Sequence, residues 1–185
     1  MDALDRLVGI QPGSPLDAVR RRKPVTRDNA QASYEALLAP ADLAEMSAAE
    51  RASVAYFVAG LHADEAALAF YRAHVPDPAT LDAEIADAAG MGPYGRFPAG
   101  PLSAEDEPGP DYAPQHVADT RLAAALAHTH MLVLHPRDAA PAHMRALEAA
   151  GWSATGIVTL SQLVAFLSFQ LRAAAGLRAL DRNRA

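Results

Sequence analysis

The stretch that decides the fold runs from Ser153 to Leu171 and reads SATGIVTLSQLVAFLSFQL. Ser153 belongs to the residue class favoured at helix N-caps, and the apolar side chains after it recur at spacings of three and four residues. They cover nearly the whole circumference of the helix, which is typical of a helix at the centre of a bundle or in a subunit interface. The sequence therefore predicts a central apolar helix that begins after Ser153.

Capping and helix-breaking residues divide the rest of the chain into further helices. Ser14-Pro15 opens one, because proline at the first helical position loses no hydrogen bond. Ser47 and Glu50 match a capping box, in which each side chain satisfies a free backbone amide at the helix start. No run alternates apolar and polar residues as a strand does. The predicted helices span residues 15–19, 29–38, 47–62, 65–74, 77–90, 118–134, 138–151 and 153–171. The predicted fold is an all-α bundle of about seven to eight helices.

One long segment, residues 91–117, interrupts this helical pattern. It carries four glycines and six prolines, which exclude a regular helix or a central strand. A connection of this length in a compact domain is usually a lid, a wrapping arm or a tether. We expect Tyr94, Phe97 and Tyr112 to anchor the segment on the helices, and the acidic tip at 105–110 to remain exposed.

Length and composition are those of a globular domain. The chain has 185 residues, of which 51% are hydrophobic and 21% charged, and this balance excludes a disordered chain. The net charge of -6 argues against a nucleic-acid-binding surface, which needs a basic surplus. No apolar run approaches the roughly eighteen residues of a membrane helix, and the acidic start does not resemble a signal peptide. We therefore expect a cytoplasmic protein that binds neither nucleic acid nor membrane.

The chain contains no cysteine. This excludes a disulfide, a thiolate nucleophile, a cysteine-ligated zinc ion and a dithiol redox couple. Any chemistry at a site in this protein must use other side chains.

The capped helix reads SAAERASVA from Ser47, and residues 149–172 read AAGWSATGIVTLSQLVAFLSFQLR. The first stretch resembles the opening of the alkylhydroperoxidase D and carboxymuconolactone decarboxylase superfamily. The second resembles the C-terminal helix pair of its peroxidase-related branch. The resemblance extends over about residues 47–180. It implies an alkylhydroperoxidase D-like helical domain at 46–185, interrupted by the 91–117 loop, after an N-terminal helical extension at 1–45.

The redox members of that superfamily carry a glutamate, a Cys-x-x-Cys pair and a histidine after this capping box. Counting along the chain places Ala52 at the glutamate and Tyr71 at the histidine, and places Asp64 and Ala67 at the two cysteines. The resemblance therefore implies a protein without thiol peroxidase activity, a noncatalytic or small-ligand-binding relative that accompanies a redox-active partner. The alternative is a cysteine-independent, histidine-dependent lyase or isomerase of a small lactone or carbonyl compound, as in the decarboxylase branch.

Five polar residues are candidates for a small-molecule site. His62 ends the capped helix beside the position of the redox pair, where it could act as a pocket acid or base. The competing interpretation is a helix-end histidine that complements the helix dipole. His62, Tyr71 and His130 are the candidate catalytic residues, and Tyr56 and Asp64 are the candidate ligand-binding residues. If the surrounding alanines instead let the helices close up, no pocket remains.

The histidines of the 118–134 helix and its end do not match a metal site. Residues two apart on a helix, such as His128 and His130, point about 200° away from each other. His128 and His135 share a face but lie about 10 Å apart, too far for one ion. We predict neither a metal nor a cofactor.

Two further features concern partners. The basic run at 20–23 could hold a phosphate, although such a run is more often a solvated helix end. The apolar helix has more apolar faces than one small bundle can cover, which predicts a homo-oligomer, most simply a two-fold dimer. The residues expected at that contact are Leu163, Phe166, Leu167 and Phe169.

Overall fold

The computed structural model describes residues 1–183 and is all-helical in that range. The α-helices are α1 (Ala3–Val8), α2 (Pro15–Arg21), α3 (Pro24–Leu38), α4 (Ala48–Leu61), α5 (Glu65–Arg72), α6 (Pro78–Asp87), α7 (Thr120–Leu134), α8 (Pro141–Ala149) and α9 (Ala154–Arg182). Two short 3-10 helices, Pro101–Glu105 and Pro136–Asp138, supplement them. Residues 1–183 form no strand, only one isolated bridge between Gly95 and Glu107. The predicted all-α fold class is confirmed.

Helix α9 is the central helix that the sequence predicts. The Ser153 side chain accepts a hydrogen bond from the Gly156 amide at 3.0 Å, and the helix then runs for 29 residues, well beyond Leu171. Helices α1, α3, α4, α7 and α8 all pack against it. Leu163 and Leu167 are completely buried by this packing within one chain, so they are unavailable to a subunit contact. Phe169 faces outward and is 50% exposed.

Helix α9 invites comparison with a membrane-spanning helix because it is long and apolar. By length and composition alone, this helix is long and apolar enough to cross a membrane. Its most apolar window is 44% buried against the rest of the chain. The expectation that no apolar segment approaches the length of a membrane helix is therefore wrong for α9, although the core helix of a soluble bundle passes the same test of length and composition.

Helices α4 and α5 form the hairpin that fixes the position of His62. The predicted capping box is present, because Ser47 accepts from the Glu50 amide and the Glu50 carboxylate accepts from the Ser47 amide. At the other end His62 is the C-cap and Ala63 adopts a left-handed conformation with φ of 49°. The Ala63 amide donates to the Gly60 carbonyl, which tightens the last turn. The His62 ring is thereby held where α4 turns into α5.

The N-terminal segment differs from the sequence prediction. Helix α1 was not predicted, and α3 begins at Pro24 rather than at residue 29. Arg20 is neither a solvated helix end nor an anion site, because its guanidinium is buried and paired with Asp2 and Asp5. Arg27 pairs with the same two carboxylates. The packing of both α1 and α2 against α3 supplies these partners, which a buried charge requires.

The helix before α9 also begins later than predicted. Asp138 does not cap it, since this residue ends the 3-10 helix Pro136–Asp138. Helix α8 starts at Pro141 without a side-chain cap of the usual kind, and the ring Nδ1 of His143 accepts from the Ala140 amide at 3.0 Å instead.

The 91–117 loop is attached to the helices at both ends. Near its start the Tyr94 amide donates to the Leu134 carbonyl at 2.6 Å. Near its end the completely buried Glu84 of α6 accepts from the Tyr112 hydroxyl at 2.6 Å. Glu84 also accepts from the amides of His116 and Val117, at 2.6 and 2.9 Å. The tip is exposed as predicted, except at Gly109, which packs closely on the ring of His135.

Candidate functional site

The two tyrosines among the candidate site residues are buried, and each bonds to a different part of the molecule. The Tyr56 hydroxyl donates to the Asp82 carboxylate at 2.5 Å and accepts from the Arg72 guanidinium at 2.6 Å. The Tyr71 hydroxyl donates to the Gln170 side-chain oxygen at 2.6 Å. Burial raises the pKa of both phenols above the ordinary value of 10. Both are therefore neutral, bonded groups that hold helices together.

Asp64 and His130 also have partners of their own. Asp64 caps α5 by accepting from the Ala67 amide at 3.1 Å, and it forms an ion pair with Arg178 of α9. The His130 ring stacks on the Tyr112 ring, with centroids 4.7 Å apart. Within the described residues, none of the five candidates bonds to another. His62, Tyr71 and His130 line three different cavities, so the structure does not bring the candidates together in one pocket.

The His62 ring faces a cavity at the turn between α4 and α5. It lines a cavity of about 330 Å³, the His62 cleft, whose other lining residues are Leu61, Gly90, Met91, Gly92, Pro93, Val133, Leu134 and Arg172. The ring is half-buried, and its Nε2 lies 3.4 Å from the hydroxyl oxygen of Ser168. Burial lowers the pKa of His62 below the usual 6.5, the charge of Arg172 lowers it further, and Asp64 opposes the shift. The imidazole is consequently neutral at pH about 7.

A second cavity adjoins the cleft between α9 and the C-terminal end of α7. This α7–α9 groove has a volume of about 620 Å³ and shares Pro93, Val133 and Arg172 with the His62 cleft. Its other lining residues are Leu132, Pro136, Ser161, Val164, Ala165, Ser168, Phe169 and Ala173. The α9 members recur at helical spacing and form one face of that helix. The surface is mainly apolar, with Ser168 and Arg172 at one end and Ser161 at the other.

Arg172 is the charged group at the junction of the two cavities. Its side chain is exposed, and within residues 1–183 it takes part in none of the ion pairs. Neither cavity has an aspartate or glutamate among its lining residues. The junction therefore presents a free guanidinium, a neutral imidazole and a hydroxyl beside an apolar groove.

Sequence reasoning identified His62 but did not include Ser168 and Arg172 in the site. A signal was present, since Ser161, Ser168 and Arg172 follow one another along α9 at spacings of seven and four residues. Such spacing puts the three on one helix face. It does not show which helix that face meets, because the packing of α7 against α9 is a tertiary feature.

Another cavity, of about 140 Å³, gathers four histidines. His128 and His130 of α7, His135 and His143 all line it, together with Tyr112 of the loop. No group of three metal-ligating side chains in the described part of the chain is arranged to hold an ion. The Ser161 hydroxyl donates to the Ile157 carbonyl, so it accepts from Nε2 of His128 at 3.1 Å. Among the residues that the structure describes, the buried Nδ1 of His128 has no hydrogen-bond partner.

Comparisons with known proteins do not show a family for this chain. No protein-family model and no curated protein matches it, so its likeness to the peroxidase superfamily remains a resemblance.

Two of the positions compared with the redox motif lie beside the same cavity. Ala52 and Tyr71 line a cavity of about 310 Å³ together with Tyr34 and His74.

Proposed function

We propose that this protein binds a small organic molecule at the junction of the His62 cleft and the α7–α9 groove, and that it performs no thiol chemistry. The observation that carries the proposal is the free Arg172 guanidinium beside the neutral His62 imidazole at the end of an apolar groove. Concave, mainly apolar sites with a few convergent polar groups are the usual form of ligand pockets. This function is the noncatalytic, ligand-binding one that the sequence resemblance implies.

Three features support a relationship to the alkylhydroperoxidase D-like proteins. Helix α4 begins with the capping box of the resemblance, and Asp64, at the position of the first cysteine, stands at the N-terminus of α5. Ala52 and Tyr71, at the two relay positions, line one cavity. We extend the proposal to a cytoplasmic homo-oligomer without a bound cofactor. At its subunit contact we place the half-buried Phe166, which is outside the groove lining, rather than the buried leucines.

Binding of the fluorescent probe 1-anilinonaphthalene-8-sulfonate tests the site. The probe joins an aromatic body to an anionic sulfonate, so we expect saturable binding of one molecule per chain. Ala165→Trp should remove this binding, because Ala165 is an exposed residue in the wall of the groove. Ala175→Trp is the matched control, since Ala175 is exposed on the same helix and lies outside the groove lining. Equal binding to both variants would place the probe elsewhere and refute the proposed site.

The second candidate function, a histidine-dependent lyase or isomerase, is favoured by the state of His62. A neutral imidazole can accept a proton from a carbon acid, and a nearby guanidinium stabilises the enolate that forms. The test is exchange of the α-protons of levulinate in heavy water, followed by proton NMR. Exchange above the buffer rate that His62→Gln abolishes and His74→Gln preserves would establish catalysis. Exchange at the buffer rate with wild type leaves binding as the function.

Thiol peroxidase activity should be absent from the pure protein. The chain has no sulfur nucleophile to attack a peroxide or to exchange with a disulfide. Consumption of cumene hydroperoxide with dithiothreitol should therefore equal the rate without protein. Turnover that follows the protein through successive columns would contradict this expectation.

A further inference from the structure

We propose that the ligand of this site is a carboxylate attached to an apolar chain or ring, with the carboxylate on Arg172 and the apolar part along the α7–α9 groove. This inference rests on the proposed function and adds to it the chemical class of the ligand. Three observations support it, namely the charge at the junction, the composition of the groove and the size of the groove.

The charge at the junction selects an anion. The protein has a net charge of -6, yet the residues that line the cleft and the groove include no carboxylate. Asp64, the acidic residue nearest in sequence to His62, is already paired with Arg178. Arg172 is therefore a cation without an ion-pair partner among residues 1–183, in a protein that is acidic overall. A guanidinium binds a carboxylate through two parallel hydrogen bonds, a geometry that a neutral or cationic headgroup does not match.

The groups beside Arg172 fit the same headgroup. The Ser168 hydroxyl, one helical turn before Arg172, can donate a hydrogen bond to a carboxylate oxygen. His62 is neutral, so it adds a ring N–H without a second positive charge. One cation suits a monocarboxylate rather than a phosphate ester, whose charge approaches two at neutral pH.

The composition and size of the groove select an apolar body of moderate size. From Arg172 the groove continues over Phe169, Ala165 and Val164 on α9, with Leu132 opposite on α7. Phe169 is 50% exposed in the single chain, so a bound apolar chain would cover aromatic surface that is otherwise in water. The volume of about 620 Å³ lies in the usual range of small-ligand pockets.

Isothermal titration with three eight-carbon compounds tests the proposal. Octanoate, 1-octanol and octylammonium share an alkyl chain and differ in the charge of the headgroup. At one pH near 7.5 we expect octanoate to bind about fivefold or more tighter than octanol, and octylammonium to bind weakest. Arg172→Gln should reduce octanoate binding to the level of octanol and leave octanol unchanged. Arg145→Gln is the control, because Arg145 is an exposed arginine on α8 outside both cavities.

The outcomes separate this inference from the proposed function. If the naphthalene probe binds in the groove but octanoate and octanol bind equally, the site stands and the carboxylate preference is wrong. Octanoate binding that Arg172→Gln leaves intact also overturns the inference. If Ala165→Trp prevents neither probe nor octanoate binding, both proposals fail. If light scattering shows a dimer that Ala165→Trp converts to monomers, and octanoate does not bind, the groove is a contact between copies of the chain and the inference is overturned.

Discussion

Acidification from pH about 7 to about 4 should destabilise the folded protein by several kcal/mol, because two buried histidines resist protonation. Burial lowers the pKa of His128 to about 4, and the neighbouring His143 contributes. Burial likewise lowers the pKa of His130 to about 4, assisted by His135 and opposed by the Ala88 carbonyl. An unfolded histidine has a pKa of about 6.5, so the unfolded chain binds more protons between these values.

The lowered pKa values determine the direction of the stability change and the pH range over which it occurs. The contribution of the neutral rings is complete above pH about 6.5 and is lost progressively as the pH falls towards about 4. Each ring contributes up to about 3 kcal/mol by linkage, an upper figure for an interior that can relax. A domain of this size has a total stability of about 5–15 kcal/mol, so the two together represent a large part of it.

Urea unfolding at a series of pH values checks this prediction. The double variant His128→Gln, His130→Gln keeps polar side chains of similar size that do not titrate, so its stability should depend much less on pH between about 4 and 6.5. His74→Gln is the control, because His74 is exposed and should leave the dependence unchanged. The same slope in wild type and double variant would show that other groups determine the acid sensitivity.

The fold was predictable where local chemistry determines it. The Ser47 and Ser153 caps and the prolines at helix starts act within a few residues, so the starts of α2, α4, α6 and α9 agree with prediction. Helix α1 escaped prediction because it has six residues, too few to show a period. The buried pairing of Arg20 escaped for another reason, since its partners Asp2 and Asp5 are brought to it by tertiary packing.

In the candidate site, too, local features were predictable and tertiary contacts were not. His62 could be selected from its place at the end of α4, a local feature. Its neighbour Arg172 lies more than a hundred residues away, and only the packing of α4 and α7 against α9 brings the two to one cleft. The histidines of α7 show the limit of a single-helix argument. His128 and His130 do point to different sides of the helix, but the 91–117 loop and α8 enclose both, so both line one cavity.

Glu84→Ala should destabilise the protein by about 3 kcal/mol or more, because one buried carboxyl group holds the end of the 91–117 loop. Its two oxygens accept three hydrogen bonds, from the Tyr112 hydroxyl and from the amides of His116 and Val117. Each donor left without a partner when buried costs about 1–3 kcal/mol. Tyr112 in turn stacks on His130, so the same residue links the loop to the core.

Two milder substitutions separate hydrogen bonding from packing. Glu84→Gln keeps one oxygen for the two backbone amides, and its amide nitrogen can donate to the Tyr112 hydroxyl. Tyr112→Phe removes a single bond and should cost about 1 kcal/mol. Urea unfolding should show the largest loss of stability for Glu84→Ala, with much smaller losses for both milder variants.

Trypsin should also cleave the loop of Glu84→Ala at Arg96 faster than the wild-type loop, since release of the loop's end increases the population of open conformations. If Glu84→Ala keeps the stability and the cleavage rate of the wild type, the loop is held by its other contacts.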